Sequence, residues 1–364
     1  MKILQLIDVY KVGGAEKVYD NYSLFCRSNN DDTDRFCLYC SDSDSLESVL
    51  DTNAQSIAGK IVQQAVGLHR LRAIVKNSRY DKIVSFLDRS NIMAIMAARG
   101  HILVVATVHN PPTVQYEKLG TLKHLVLHVL RHYYNKKNVR VIAVSNQVKE
   151  SLTAIGVKNV RIVYNPLVVN KTDCVPISIP KPYFVSVARL AYQKAHWKLI
   201  KAMYILKTKF NKILHFVIVG DGILLEKAKT LADSLGLADF VHFVGFIENP
   251  FPLISNAFCM VFSSYFEGFP VTVLEAFSCG CPVIGADCAI PEEIRLLLPS
   301  SDFYYKNQNS QENFNPHILE EDDYVLAEIM NRALEKPNVL QAITSAGTAW
   351  VAENCGLDNF KKYE

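Results

Sequence analysis

Short apolar runs recur along the chain, with amphipathic stretches between them. KILQLI (residues 2–7) opens the series, followed by DRFCLYC (34–40), DKIVSFL (81–87), ILVVATV (102–108) and VRVIAVS (139–145). Runs this short, alternating with helix-period segments, predict βαβ units and a parallel sheet. The alternation stops at NPLVVNKTDCVPISIPKP, residues 165–182, whose four prolines and weak periodicity mark a linker. It then restarts with YFVSVARL (183–190), LHFVIVG (214–220), VHFVGF (241–246), AFCMVFSS (257–264) and CPVIGA (281–286). Two such series predict an α/β chain of two doubly wound domains, 1–165 and 183–345, joined by 166–182. Ligands of such sheets bind beyond the carboxyl ends of the strands, so the expected site is a cleft between the domains. NQNSQENFNPH (307–317) reads as a polar loop, and 346–364 as a helix that packs back on the first domain.

Composition narrows the function classes. The chain has 364 residues, too many for one ordinary core, and 49% of them are hydrophobic, as in a globular protein. A net charge of +3 gives no global reason to bind nucleic acid. No apolar run reaches the ~20 residues that span a bilayer, and MKILQLIDVY lacks the features of a signal peptide. Of nine cysteines, Cys37 and Cys40 form a CxxC, but no second pair stands at zinc-ligand spacing. That pair ends a strand-like run rather than starting a helix, so the cysteines read as structural, in a reducing cytoplasm. DDTD (31–34) and SDSD (41–44) spell the DxD of metal-dependent transferases, but both lie in short polar stretches rather than at a strand end.

The most informative stretch is FEGFPVTVLEAFSCGCPVIGAD, residues 266–287. Pro270 suits a helix first turn and Gly280 the position past its end, which predicts a helix over roughly Val271–Cys279. A strand, a glycine-containing loop and a helix start together make an anion site, because unpaired N–H groups and the helix dipole both favour phosphate. Glu275 lies about 6 Å up the axis. A carboxylate there would repel the phosphate but suits hydroxyls beside it, such as a ribose diol. Glu267, on the loop, would face the other side of the phosphate and a sugar attached to it. Read by spacing alone, Glu275 is equally a solvated helix residue and Glu267 a loop acid.

Several stretches resemble, in order, the motifs of retaining glycosyltransferases with the GT-B fold, family 4, the glycosyl transferases group 1. They are GGAEKV (13–18), SVARLAYQKAH (186–196), IVGDG (218–222), VHFVGFIENP (241–250) and EGFPVTVLEAFSCGCPVI (267–284). The resemblance implies two Rossmann-like domains facing a central cleft. A nucleotide-sugar would bind mainly to the C-terminal domain and a glycan or lipid-linked acceptor would enter from the N-terminal one. It implies no cofactor and no metal. By resemblance, Arg189 and Lys194 neutralise the diphosphate, Glu275 binds the ribose and Glu267 the donor sugar. Gly268, Phe269 and Pro270 shape the sugar pocket, and the N–H groups of Val271 and Thr272 meet the phosphate. Gly222 and Phe246 belong to the loops on the base side. Gly13 and Gly14 let backbone approach the diphosphate, and His109 contacts the sugar. The sequence departs from the family where Ala195 follows Lys194, a place usually held by glycine. CAIPEEI (288–294) also lacks the usual glycine, which leaves the placement of Glu292 and Glu293 unset. SSDFYYKNQNSQENF (300–314) lacks the usual hydrophobic strand.

Lys118 to Arg140 contains no acid, and Leu119, Leu122, Leu125, Val126, Val129, Leu130 and Tyr133 recur at helical spacing. With Lys123, Arg131, Lys136 and Lys137 around the stripe, this segment is either a domain helix with a solvated basic face or a contact with an anionic membrane. The resemblance thus implies transfer of a hexose or N-acetylhexosamine, UDP being the commonest carrier in the family. The acceptor would belong to bacterial lipopolysaccharide, capsule or another surface polysaccharide. The enzyme would be cytoplasmic, with a peripheral position at the inner face of the membrane. Two other readings stay open at this point: a UDP-sugar 2-epimerase-like enzyme and an inactive sugar-nucleotide-binding subunit.

Overall fold

The structure, a computed structural model, describes residues 1–10, 13–39, 47–49, 57–169, 179–298, 301–307 and 312–364. Cys40 of the CxxC, the SDSD stretch, residues 170–178 of the linker and 308–311 of the polar loop lie outside the described residues. The chain forms two units, Met1–Pro166 with Gly356–Glu364, and Leu167–Cys355.

Unit 1 begins with β1 (Lys2–Val9), α1 (Gly14–Ser28), β2 (Asp32–Tyr39), β3 (Glu47–Ser48) and α2 (Ile57–Ser78). It continues with β4 (Lys82–Phe86), α3 (Asp88–Ala98), β5 (Leu103–Val108), α4 (Pro112–Gln115), α5 (Leu122–Tyr134), β6 (Val139–Ala143), α6 (Asn146–Ala154) and β7 (Val160–Ile162). All its strands are parallel, in the order β3-β2-β1-β4-β5-β6-β7. Every residue of β4 is buried, which explains a continuous apolar run rather than an alternating one: helices cover both faces. DDTD is used structurally, since Asp31 pairs with the N-terminal amine at 2.7 Å and Asp34 accepts from Tyr80 Oη at 2.5 Å.

Unit 2 holds β8 (Tyr183–Val187), α7 (His196–Lys209), β9 (His215–Val219), α8 (Leu225–Ser234), β10 (Val241–Gly245), α9 (Phe251–Ser255) and β11 (Cys259–Phe262). It ends with α10 (Val271–Ser278), β12 (Val283–Ala286), α11 (Glu292–Arg295), β13 (Tyr304–Tyr305), α12 (Glu321–Glu335) and α13 (Pro337–Asn354). The sheet order is β10-β9-β8-β11-β12-β13, again all parallel. A strand does form within SSDFYYKNQNSQENF: Tyr304 and Tyr305 pair with Gly285 and Ala286 of β12.

α7 is buried nearly all round, including two lysines. Lys198 reaches Asp322 at 2.9 Å and Glu320 at 3.4 Å, and Lys201 donates to the Ile318 carbonyl at 2.7 Å. The acids at the start of α12 therefore make these buried cations tolerable, and they fix α12 against α7.

The helix expected from about Ala346 begins at Pro337, where proline takes a first-turn position, and it belongs to unit 2. It lies on α10: a Cβ on Gly347 would come within 2.4 Å of the Phe277 ring, and Thr348 Oγ1 donates to the Phe277 carbonyl at 2.6 Å. What returns to unit 1 is the short 3-10 segment Leu357–Tyr363. Phe360 and Tyr363 are buried there, their ring centroids 5.0 and 5.4 Å from that of Tyr22 in α1.

Candidate functional site

In unit 2 the strand order reverses between β8 and β11, so the loops leaving these neighbours flank the crevice where ligands of open α/β sheets bind. The Arg189–Lys194 segment follows β8, and the Glu267–Glu275 segment follows β11.

These two loops are laced together. Tyr265 N donates to the Gln193 carbonyl at 2.9 Å, and Gln193 Nε2 to the Phe266 carbonyl at 2.7 Å. Ser263 Oγ lies 2.8 and 3.0 Å from the carbonyls of Lys194 and Ala195. Asn307 Nδ2 in turn donates to the Ser263 carbonyl at 2.8 Å. On this frame Lys194 Nζ meets Glu267 Oε1 at 2.5 Å, and Ser264 Oγ donates to the same oxygen at 2.7 Å. The two side chains are only 16% and 6% exposed. The resemblance implies Lys194 for a diphosphate and Glu267 for a sugar; the fold also pairs them directly, across 73 residues of sequence. Gln193, Ser263 and Ser264 are the residues that sequence reasoning missed. Their only signal is polarity at the end of apolar runs.

Ala195 occupies the left-handed region, φ 48° and ψ 43°, and is fully buried before α7 begins. A glycine would reach that conformation without strain, which accounts for the preference the resemblance implies at this place. Arg189 is exposed, on the loop two residues beyond β8. Its loop is matched to the one after β9 by backbone contacts: Leu190 N donates to the Asp221 carbonyl at 2.9 Å and Leu224 N to the Leu190 carbonyl at 3.1 Å. Gly222, with φ +158°, must be glycine, because a Cβ would lie 2.4 Å from the Leu190 oxygen; Gly220 faces the Ala188 oxygen at 2.1 Å in the same way. The Gly245 carbonyl at the end of β10 accepts from Gly220 N at 2.8 Å, and the next residue, Phe246, is 52% exposed.

α10 starts at Val271 after Pro270 in an extended conformation, with no side chain capping it. Gly268 and Val271 are buried and Thr272 is half-buried. Glu275 follows one turn in and is 2% exposed, so the solvated-residue reading does not hold for it. The Phe269 ring is committed to the core against Trp350 of α13, at 6.0 Å between centroids. Glu292 and Glu293 form the first turn of α11.

Unit 1 has its own reversal between β1 and β4. Gly13, extended, precedes α1 and Gly14 begins it; a Cβ on Gly13 would meet the Glu16 carboxylate at 2.5 Å. His109, just past β5, is buried, and its Nε2 lies 2.9 Å from Thr107 Oγ1. Thr107 gives its one hydroxyl proton to the Ser85 carbonyl at 2.9 Å, so His109 Nε2 donates and Nδ1 is the acceptor. Burial holds the imidazole neutral, with its pKa lowered to about 4. Beyond β4, Asp88 is buried and accepts from Tyr116 Oη at 2.8 Å and Tyr134 Oη at 2.5 Å; desolvation pushes its pKa up. Leu87 before it has φ 76° and ψ 151°, a strained conformation for a side-chain-bearing residue.

The α5 stripe is divided. Leu130 faces the core, as does Tyr134 beside the stripe, whereas Leu119, Leu122, Leu125 and Val129 are exposed. Lys123 is half-buried; Arg131, Lys136 and Lys137 are exposed. Among the described residues no group of three or more His, Cys, Asp or Glu side chains could hold a metal ion, and no helix is long and apolar enough to cross a membrane.

Two family models divide the chain: Glycosyltransferase Family 4 matches residues 12–171, and Glycosyl transferases group 1 matches 175–296. A Campylobacter jejuni relative is 28% identical over 60% of this chain and 60% of its own length. It is N-acetylgalactosamine-N,N'-diacetylbacillosaminyl-diphospho-undecaprenol 4-alpha-N-acetylgalactosaminyltransferase. Lipopolysaccharide 1,6-galactosyltransferase of Salmonella typhimurium is 33% identical over 40% of this chain and 42% of its own. The chain thus spans less than two thirds of the length of these curated relatives. Anabaena HepE in complex with UDP-glucose superposes with a TM-score of 0.75 at 18% identity, covering 100% of this chain and 98% of the other.

Proposed function

We propose, for a chain that belongs to the glycosyl transferases group 1 and glycosyltransferase family 4 with the GT-B fold, that it transfers a sugar from a nucleotide-sugar to an acceptor in cell-surface glycan synthesis. The donor is a UDP-linked hexose or N-acetylhexosamine. The acceptor is a glycan or lipid-linked oligosaccharide, met at the inner face of the bacterial membrane. A relative's lipid-linked acceptor and another's UDP-glucose complex support these choices.

The observation that carries this reading is the Lys194–Glu267 pair beside the uncapped start of α10. A diphosphate at that helix start would receive backbone N–H groups and the positive end of the dipole. One ammonium proton of Lys194 goes to Glu267, and its other two serve phosphate oxygens. In the reaction the bond from the sugar C1 to the diphosphate oxygen breaks and the acceptor oxygen bonds to C1 on the same face. The acceptor proton passes to the leaving phosphate. Negative charge grows on the diphosphate, so Lys194 and Arg189 act on the transition state more than on the bound donor. This reading needs no divalent cation. Glu267 Oε2 takes sugar hydroxyls, since Oε1 already accepts twice. Glu275 takes the ribose, Phe246 packs on the base, and Gly13, Gly14 and His109 keep the roles the family motifs imply. A neutral His109 accepting at Nδ1 suits a sugar hydroxyl, not proton abstraction from a weak acid.

The test is a thermal-shift panel of nucleoside diphosphates and nucleotide-sugars on the chain and on Glu275→Ala. At a hundredfold excess over Kd a ligand stabilises by about 2.7 kcal/mol. UDP and one UDP-sugar should shift the chain and not the variant. No shift with any nucleotide would refute the donor site. Isomerisation of the donor without acceptor would instead identify an epimerase.

A further inference from the structure

We propose that Asp8 and Arg89, at the carboxyl ends of the unit 1 strands, grip the hydroxyls of an uncharged sugar of the acceptor. This rests on the transfer reading above and adds to it two specificity-determining residues and the chemistry they select. A transfer has two substrates, and the crevice of unit 2 takes the nucleotide-sugar. Unit 1 has a reversal of its own between β1 and β4, a place where sheets of this kind bind a ligand. Asp8 is the last residue but one of β1, Tyr39 ends β2, and Arg89 is the second residue of α3, just past β4.

Arg89 reaches across the end of β1. Its Cζ stands 5.3 Å from the Tyr39 ring centroid, and its Nε lies 3.5 Å from Asp8 Oδ1. Tyr39 is fixed in turn, its Oη accepting from Gln64 Nε2 at 2.6 Å. Ring and acid thus hold one edge of the guanidinium. Among the described residues Nη1 and Nη2 make no hydrogen bond, on a side chain 52% exposed. Asp8 is the more telling partner. Its side chain is 18% exposed and burial raises its pKa, yet Oδ1 is buried and accepts no hydrogen bond. A pair serving the fold alone would close to hydrogen-bond distance, because a desolvated carboxylate short of donors is costly. A carboxylate and an open guanidinium edge side by side complement hydroxyls: one takes the proton, the other donates to the oxygen. The strained Leu87 and the two tyrosines on Asp88 hold the start of α3 in this position. Asp8 is also near enough to Asp88 to raise its pKa further. Two carboxyl groups therefore stand beside one guanidinium, and an anionic sugar would be repelled.

The experiment is saturation-transfer NMR on the whole chain with UDP present. The probes are the methyl α-glycosides of glucose, galactose and N-acetylgalactosamine, with methyl glucuronide and methyl galacturonide as charged counterparts. At least one uncharged glycoside should receive saturation, and neither charged one should displace it. Arg89→Gln should weaken its binding about 10- to 100-fold, the worth of a hydrogen bond from a charged group, and Asp8→Asn should do the same. Arg89→Lys keeps a cation beside Asp8 but loses the fork. It should melt with the parent and still bind as weakly as Arg89→Gln, which a purely structural ion pair would not do. Thermal melting checks that each variant is folded, and Arg89→Gln, at an exposed position, decides alone should Asp8→Asn fail to fold. No saturation of any uncharged glycoside, preference for a charged one, or undiminished binding by Arg89→Gln would overturn the proposal. The UDP signal is read in the same spectra, so failure of the donor site shows separately.

Discussion

Removing the ammonium of Lys194 should destabilise unit 2 through the charge it leaves behind. Glu267 is 4% exposed and shares one oxygen between Lys194 and Ser264. Deleting one partner of a buried ion pair costs about 3–5 kcal/mol, most of it from stranding the other charge. Ser264 keeps a hydrogen bond to that charge, which lowers the expected loss for Lys194→Met to about 2–3 kcal/mol. In a unit of this size that is a fall of roughly 4–12 °C in Tm. The assay is a double-mutant cycle in urea or by calorimetry, with Lys194→Met, Glu267→Gln and both together. Glu267→Gln removes the stranded charge while its amide oxygen still accepts from Ser264. The double variant should therefore recover most of the loss. A Lys194→Met chain within about 0.5 kcal/mol of the parent, or a double variant no better than the single one, would refute the argument.

Three further outcomes follow from the geometry. His109 is held neutral with its pKa at about 4, below the ordinary ~6.5, so its contribution is whole above pH 6.5 and is lost as pH falls toward 4. Urea unfolding of the parent should lose about 2 kcal/mol more than His109→Gln between pH 7 and pH 5, and parallel losses would contradict this. Ala on Gly220 should cost well over 2 kcal/mol, because the new methyl has only backbone to move against, and Gly347→Ala should loosen α13 from α10; near-parental melting of both would be the contrary result. Ala195→Gly should stay within about 1 kcal/mol of the parent, relief of left-handed strain offsetting a lost buried methyl, whereas Ala195→Val should be far less stable.

The inner strands of both sheets, such as β4, β5, β8, β9, β11 and β12, were legible because each is a short run buried on both faces, so apolarity is continuous. β3, β7 and β13 escaped notice: with two or three residues each, they are strands only through their neighbours. The start of α10 was legible from Pro270, and the depth of Glu275 followed from helix rise. The Lys194–Glu267 bond was not, because spacing within one motif says nothing about contacts to another motif 73 residues away. Lys198 and Lys201 would pass for a solvated face until the acids of α12 are seen against them. Phe269 is a motif residue whose ring also packs against Trp350, a contact that the motif alone does not reveal. Of the stripe around α5 only Leu130 is buried, and the other inward side chain of the helix, Tyr134, stands outside it. Periodicity gives the stripe but not which part of it the fold covers.

The return of Gly356–Glu364 to unit 1 sets the timing of synthesis. Ribosomes deliver about 5–20 residues per second, so roughly 10–40 seconds separate the emergence of β7, the last strand of the unit 1 sheet, from that of Phe360 and Tyr363. Throughout that interval Tyr22 and Phe25 lack the two rings that complete their packing. Unit 2, encoded without interruption from Leu167 to Cys355, meets its whole core before unit 1 does. The amino-terminal half is therefore the later of the two to be completed, and the nascent chain carries a sticky, unfinished surface that invites a chaperone until its closing aromatic residues arrive.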